Sequence, residues 1–276
     1  SIHGITSIVQ NIGKTKSTGV EFSVNSRNVM TGDFKWATLG NFSFIKNEIV
    51  DLYGTGIDDL ANAWFIGYPI RVNYDFVVEG VWQLDEAEEA ALWGSQPGFV
   101  KLKDVDGDGE LTGADRQIIG QQDPKFMWGL TNTFSYKNFN LNIFLHGVHG
   151  VTRFNGLKTD DETYSTIRRN TTRKNWWTPE NPTNEFVMND FDAERMAGIR
   201  ARWYENASFL RVKDISLSYT LPANLVKKTG MGSIRLYITG RNLLTITEYG
   251  GVDPELTGTE TIPLQRELLL GLNLDF

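Results

Sequence analysis

The last nine residues of the chain alternate strictly between two kinds of side chain. Every second position is large and apolar: Leu268, Leu270, Leu272, Leu274 and Phe276. The positions between them are Leu269, Gly271, Asn273 and Asp275. Because successive side chains of a β-strand point to opposite faces, this pattern predicts a strand with one apolar face and one wetter face. Either a soluble core or lipid could cover the apolar face.

The same two-residue period recurs in six further segments, and almost none of the chain shows helical periodicity. These segments lie at residues 20–25, 34–46, 130–136, 139–145, 215–221 and 234–244. Short connections at 28–33, 137–138 and 222–232 predict that neighbouring segments pair as hairpins. The segment at 235–244 is expected to pair with the terminal strand.

Composition excludes several classes of protein but does not choose between a soluble and a membrane fold. The chain has 276 residues, a net charge of −7 and no cysteine, and its mean hydropathy is −0.30. It has no run of eighteen apolar residues, which excludes a membrane helix. The missing cysteines remove disulfides and thiolate metal sites, and the acidic balance argues against a nucleic-acid partner. A membrane β-barrel is compatible with these values, since its strands average to ordinary hydropathy.

The connections between the predicted strands differ greatly in length. Three long, irregular segments cover residues 47–126, 150–208 and 245–264. Because each strand reverses direction, all short turns fall at one end of the sheet and all long loops at the other. Outer-membrane barrels have this arrangement, with short periplasmic turns and long extracellular loops. Residues 70–82 also have a strand pattern and are expected to form part of an extracellular hairpin.

The predicted fold class is therefore all-β, an antiparallel transmembrane β-barrel with about seven strands in residues 1–276. Bacterial single-chain barrels have even strand numbers, so we expect the C-terminal segment of a larger barrel. Its first and last strands would pair with strands from elsewhere, and its apolar face, including Leu217, Leu236 and Leu270, would lie in membrane lipid. The alternative is a soluble, calcium-stabilised β-sandwich that binds carbohydrate. Two packed sheets would need turns at shorter and more even spacing.

The most specific local motif is an acidic loop at residues 104–115. Asp104, Asp106 and Asp108 occupy positions 1, 3 and 5 of the twelve-residue calcium loop, and Gly109 occupies the sharp turn. Glu110 would offer its backbone carbonyl at position 7, and Asp115 stands at position 12, where glutamate is usual. The short, strand-like flanks predict no helix pair. We expect bound calcium that stiffens a long loop, and a merely solvated acidic turn is the alternative.

Other candidate sites are less specific. Tryptophans in the predicted loops could stack on sugar rings or on a partner protein, or could simply pack within the loops: Trp82, Trp93, Trp176, Trp177 and Trp203. His146 and His149 would point to opposite faces of a strand and so could not share a metal. The sequence contains no nucleophile elbow, phosphate loop or dinucleotide fingerprint, and we expect no enzymatic activity.

Several short sequence segments, spread along nearly the whole chain, identify a protein family more specifically as a set than any single motif does. They are Lys-Ser-Thr-Gly-Val-Glu (16–21), Phe-Lys-Trp (34–36), the stretches 104–120, 124–144 and 207–222, Gly-Arg-Asn-Leu-Leu-Thr (240–245), Gly-Val-Asp-Pro-Glu (251–255) and the terminal 271–276. This set resembles the SusC/RagA group of TonB-linked outer-membrane transporters of Bacteroidetes.

The resemblance implies a bacterial outer-membrane barrel of about 22 strands with an internal plug. It also implies a SusD-like lipoprotein that caps the extracellular mouth, and import of glycan oligomers or peptides with energy from TonB. The plug domain, the segment that TonB grips and the earlier strands are expected to lie in polypeptide outside this sequence.

Overall fold

The computed structural model describes residues 13–162, 173–190, 201–256, 262 and 264–276, and strands dominate it. The strands are β1 (Gly13–Thr31), β2 (Phe34–Leu52), β3 (Val72–Asp75), β4 (Val78–Val81), β5 (Val100–Leu102), β6 (Gln117–Gln121), β7 (Phe126–Tyr136), β8 (Phe139–His149), β9 (Thr152–Phe154), β10 (Tyr204–Asn206), β11 (Phe209–Thr220), β12 (Ser233–Thr247) and β13 (Glu267–Asp275). The α-helices are α1 (Ala87–Leu92), α2 (Gly156–Glu162) and α3 (Ala223–Val226), and single 3₁₀ turns occupy Leu84–Glu86, Gly113–Asp115, Ala201–Trp203 and Lys227–Thr229.

Seven of these strands form one antiparallel sheet, hereafter the wall. Its order is β1-β2-β7-β8-β11-β12-β13, so each wall strand lies beside the next one along the chain. The predicted number of strands, their pairing and their direction are confirmed. Two turns are tight, at Gly32-Asp33 and Lys137-Asn138, and the third connection, residues 221–232, contains α3.

Three long loops leave the opposite end of the wall. We call them outer loop 1 (residues 53–125), outer loop 2 (150–208) and outer loop 3 (248–266). The second loop has the predicted bounds, whereas the first and third begin later than predicted because β2 and β12 are longer. No described helix combines the length and apolar character needed to span a bilayer.

The outer face of the wall is apolar along most of its height. In one row across the sheet, Leu141 pairs with Leu217, Leu217 with Ile238, and Ile238 with Leu270. Leu270 is 82% exposed and Leu272 53% exposed, and no second sheet of the described residues covers them. A β-sandwich would bury these side chains, so their exposure supports the predicted lipid-facing surface.

The inner face of the wall is mostly neutral and polar. Asn140 donates a hydrogen bond to Ser135 (2.9 Å), Asn142 to Thr133 (3.1 Å), and the Thr239 hydroxyl to Ser216 (2.9 Å). These bonds cross between neighbouring strands. The combination of a hydrogen-bonded inner face and an apolar outer face is that of a membrane barrel with a polar interior.

Aromatic side chains mark both ends of the apolar outer face. Phe126, Trp128 and His149 lie at the end near the outer loops, and Tyr136 and Phe139 at the end near the short turns. Strands β7 and β8 have 11 residues each, which at the usual rise and a barrel tilt of ~40° gives a height of about 25 Å. That height equals the apolar band of outer-membrane barrels, which aromatic girdles flank.

The β1–β2 hairpin extends beyond the rest of the wall. Each strand has 19 residues, but β2 pairs with β7 only from Phe34 to Phe44. Above that point β2 pairs with β1, and Ile49 also bonds to a segment of outer loop 1 through Gly67 and Tyr68. This extension carries the base of outer loop 1 above the apolar band.

The outer loops contain small sheets of their own. Strand β3 pairs with β6, β4 with β5, and β9 with β10. The prediction of strand structure at residues 70–82 is confirmed, because β3 and β4 lie there. They do not pair with each other, however: each takes a partner about 20 to 50 residues later in the same loop. The flanks of the acidic loop are strands β5 and β6, as predicted.

Candidate functional site

Outer loops 1 and 2 share one hydrophobic core at the loop end of the wall. Outer loop 1 contributes Phe76, Val81, Val100 and Leu102, and outer loop 2 contributes Trp177 and Val187. All six side chains are buried. Because the core needs residues from both loops, the two loops are expected to fold and move as one body.

Trp177 is the central side chain of this shared core. It is only 3% exposed, and its indole N–H donates a hydrogen bond of 3.0 Å to Oε1 of Gln83. Its ring lies directly over Gly98, where a Cβ atom would approach ring carbon Cε3 to 2.6 Å. Gly98 also has φ +90°, a conformation that favours glycine. Its carbonyl accepts a hydrogen bond of 2.8 Å from the N–H of Met188.

The other predicted stacking tryptophans are placed differently from one another. Trp82 and Trp203 are buried, like Trp177, so the loop-packing alternative describes these three side chains. Lys101 lies over the Trp82 ring at 4.4 Å, and Trp203 packs edge-on against Phe154. Their burial follows from the large apolar area that an indole removes from water.

Trp93 and Trp176 are half-buried and keep part of their rings at the surface. Trp176 stacks edge-on against Phe186 with ring centroids 5.7 Å apart. Trp93 ends helix α1 and lies near Trp82, Val100 and Leu102. Only these two of the five predicted tryptophans can offer an accessible ring.

The acidic loop brings three carboxylates together. Ligand oxygens of Asp104, Asp106 and Asp108 lie within 4.8 Å of one another. Gly107 and Gly109 have φ values of +75° and +82°, which lets the backbone wrap around them. Desolvation, with repulsion from Asp108, Asp115 and Asp104, raises the pKa of Asp106. Clustered carboxylate oxygens that repel one another are a donor set suited to a hard cation.

Asp115 and Glu110 occupy different surroundings in the same loop. Asp115 is fully buried and accepts hydrogen bonds from the N–H groups of Thr112 (2.7 Å) and Val105 (2.8 Å). The bond from Thr112 contributes most to holding its pKa below the usual value, although burial opposes this. Asp115 therefore ties the loop to itself. Glu110 is exposed, and its N–H donates to Asp108.

Sequence reasoning missed a buried ion cluster on the inner face of β11. Arg211 is completely buried, and its Nη2 donates to both carboxylate oxygens of Asp253, at 2.7 and 2.9 Å. Its Nη1 lies 2.7 Å from Glu255, which also pairs with Lys213 at 3.2 Å. The sequence signal was present: an arginine among apolar neighbours, and two acids flanking a proline 42 residues later.

A second polar cluster joins outer loops 2 and 3. Glu205 accepts hydrogen bonds from Lys158 (2.8 Å), Asn155 (3.0 Å) and the Gly250 N–H (2.9 Å). Burial alone would raise the pKa of Glu205, but these hydrogen bonds outweigh it and lower the pKa. Beside it, Tyr249 packs with Val151 and Ala207 in a small hydrophobic cluster.

The two histidines point to opposite faces, as predicted. The ring of His149 stacks on Phe126 of the outer face at 4.7 Å. His146 packs edge-on against Phe209 of the inner face at 5.7 Å.

Comparisons with known proteins agree with this architecture. A scan against models of protein families finds no match. TonB-dependent receptor P3 of Formosa agariphila is 39% identical over 91% of this chain and 26% of its own length. TonB-dependent receptor SusC of Bacteroides thetaiotaomicron is 27% identical over 98% of this chain and 27% of its own length.

Solved structures of transporters also match the whole of this chain with part of their own length. The RagAB peptide importer in its open-open state superposes with a TM-score of 0.79 and 25% identity, over 100% of this chain and 30% of that chain. A further structure, of the RagAB peptide transporter, gives the same TM-score at 24% identity.

The present chain spans about a quarter to a third of the length of the proteins it matches. The wall with its apolar outer face and the sequence matches agree: the chain is similar to a segment of the outer-membrane β-barrel of TonB-dependent receptors of the SusC/RagA group.

Proposed function

We propose that this chain is part of a TonB-dependent importer that takes up glycan oligomers or peptides across the outer membrane with a SusD-like lipoprotein. The observation that carries the proposal is the wall itself, with its apolar outer face and all its long loops at one end. The relatives named TonB-dependent receptor, and the RagAB peptide importer, support transport as the activity. No enzymatic role is proposed, because the relatives are receptors and transporters.

The rest of the barrel would come from polypeptide outside this sequence. Within the described residues, β1 and β13 each have one unpaired edge. Unpaired backbone groups in hydrocarbon cost several kcal/mol each, so both edges need partner strands in the membrane. The plug and the segment that contacts TonB would belong to the same missing polypeptide.

The body formed by outer loops 1 and 2 is the proposed docking surface for the lipoprotein. Outer loop 1 displays large apolar side chains, among them Ile57 (68% exposed) and Leu60 (60% exposed). The surrounding turn is pre-ordered, because Asp59 accepts hydrogen bonds from Tyr53 (2.6 Å) and Asn62 (2.8 Å). Exposed apolar groups on a rigid support favour protein binding at low entropic cost. We expect an interface of at least about 1,600 Å².

Calcium bound by the acidic loop would stiffen this body. Asp104, Asp106 and Asp108 would supply side-chain oxygens and Glu110 its carbonyl, while Asp115 would hold the loop closed. The donor set fits, since all these groups are hard oxygens and the two glycines give the required turn. The cation would remove the repulsion among the carboxylates. The site lies between β5, which belongs to the shared core, and β6.

Co-purification of the lipoprotein with the full-length receptor tests the docking surface. We expect Ile57→Asp with Leu60→Asp to reduce retention of the lipoprotein and growth on the imported nutrient. The matched control is Leu225→Asp in α3, since Leu225 is 50% exposed but lies at the opposite end of the wall. Equal retention and growth in both variants would refute this docking surface.

A further inference from the structure

Outer loop 3 does not simply project outward from the wall. The neighbours of Arg211 in β11, Leu210 and Val212, pair with outer-face residues of β8 and β12, so Arg211 itself points to the inner face. Asp253 and Glu255 reach Arg211 on that face. The segment 251–256 of outer loop 3 therefore lies against the inner wall, at its extracellular end.

Several contacts fix this segment in place. Gly250 is bound to Glu205, and Tyr249 is buried beside Val151. Three residues later, the Asp253 carboxylate bridges Arg211 and the N–H of Glu255. The charges balance, with Arg211 and Lys213 opposite Asp253 and Glu255. The segment thus has an anchor at each end rather than a free tip.

We infer that residues 251–256 form a fixed constriction inside the extracellular mouth of the barrel, held by Arg211, and that it limits the size of the oligomer that can enter. A chain segment with its side chains adds a layer about 10 Å thick to the inner face, the usual packing distance of a second layer on a sheet. Val252 in this segment is 38% exposed, so the wall does not cover it. This inference deepens the proposed function and rests on it.

Labelling of a cysteine below the constriction tests the inference in the full-length receptor. Ser216 lies on the inner face of β11, five residues farther from the outer loops than Arg211, and this chain has no cysteine. The receptor would carry Ser216→Cys, with any other cysteine replaced by serine. Its labelling rates with N-ethylmaleimide and with graded polyethylene-glycol maleimides would be compared.

The informative variant is Arg211→Met with Asp253→Asn and Glu255→Gln. It removes the buried charges of Arg211 and Asp253 together, and Lys213, which loses Glu255 as its partner, is 34% exposed and keeps contact with water, so the wall should still fold. We expect the labelling rate with large maleimides, divided by that with N-ethylmaleimide, to rise at least about tenfold, since the released segment no longer shields the site. The control is Arg241→Gln with Glu267→Gln, an exposed pair on the same wall, and its ratio should stay unchanged.

An unchanged ratio in the triple variant would overturn the inference. The inference also requires a path past the constriction to Ser216. If no maleimide, including N-ethylmaleimide, labelled Ser216→Cys in any of the three receptors, the inference would be overturned too. The assay needs no import. A receptor that labels as expected but supports no growth on glycans or peptides would overturn the proposed function instead.

Discussion

Arginine placed on either side of strand β8 gives a sensitive test of which face of the wall meets lipid. Ile143 points to the outer face, in a row with Asn132 and Ile215, about midway between the aromatic ends of the strand. Asn142, the preceding residue, points inward and donates a hydrogen bond of 3.1 Å to Thr133. The substitutions Ile143→Arg and Asn142→Arg therefore put the same charge at the same height on opposite faces.

The two substitutions differ in expected cost because only one puts the charge in hydrocarbon. An arginine on the lipid face near the midplane destabilises a barrel by about 2–4 kcal/mol. That corresponds to a loss of roughly 30- to 700-fold in the ratio of folded to unfolded protein. On the inner face, the change forfeits one neutral hydrogen bond, worth about 0.5–1.5 kcal/mol. We expect Ile143→Arg to cost about 0.5–3.5 kcal/mol more than Asn142→Arg.

Urea-dependent folding of the full-length receptor into lipid vesicles measures this difference. The folded fraction at each urea concentration is read from the altered gel migration of folded barrels without heating. We expect Ile143→Arg to shift the midpoint to clearly lower urea than Asn142→Arg. Equal midpoints, or a larger shift for Asn142→Arg, would show that the outer face of β8 does not lie in lipid.

Three further predictions concern the outer loops of the full-length receptor. In the unmodified receptor, a chelator should speed protease cleavage at residues 98–120. Asp106→Asn with Asp108→Asn should make this cleavage insensitive to the chelator. If the chelator had no effect on cleavage of the unmodified receptor, calcium binding would be refuted. Trp177→Ala should destabilise the shared loop core by about 3–5 kcal/mol, seen as faster hydrogen exchange in both loops while the wall exchanges as before; exchange confined to outer loop 2 would contradict a shared core. Folding lowers the pKa of Glu205 below its ordinary value of 4.5. The stability that the ionised Glu205 carboxylate gives to the contact between outer loops 2 and 3 is therefore fully present above pH 4.5, and it is lost as the pH falls through the folded pKa. Exchange at Gly250 should therefore accelerate only below that ordinary value, and Glu205→Gln should remove this pH dependence.

The wall was predictable from the sequence because lipid imposes a strict alternation on every strand that crosses it. The absence of lipid explains why the predicted strand at residues 34–46 ends before the observed strand β2 does. Residues 45–52 of β2 continue the strand above the apolar band, where Lys46 and Glu48 can face water on the outer side. Without lipid the alternation disappears, although the hydrogen bonds to β1 continue.

The loop contacts were much less predictable, because they join residues far apart in sequence. Trp177 bonds to Gln83 across 94 positions, and Arg211 to Asp253 across 42. Single residues carry no periodicity that would reveal such partners. The acidic loop is the exception, since its spacing and glycines lie within one short stretch and their geometry follows from local backbone conformation alone.

A structure of the full-length receptor in a lipid nanodisc is the most direct test of the central claim. The account predicts that Leu217, Leu236 and Leu270 face the lipid, and that β1 and β13 pair with strands from the rest of the receptor. A structure in which these leucines are buried in a protein core, or in which both strand edges stay unpaired within the membrane, would contradict it.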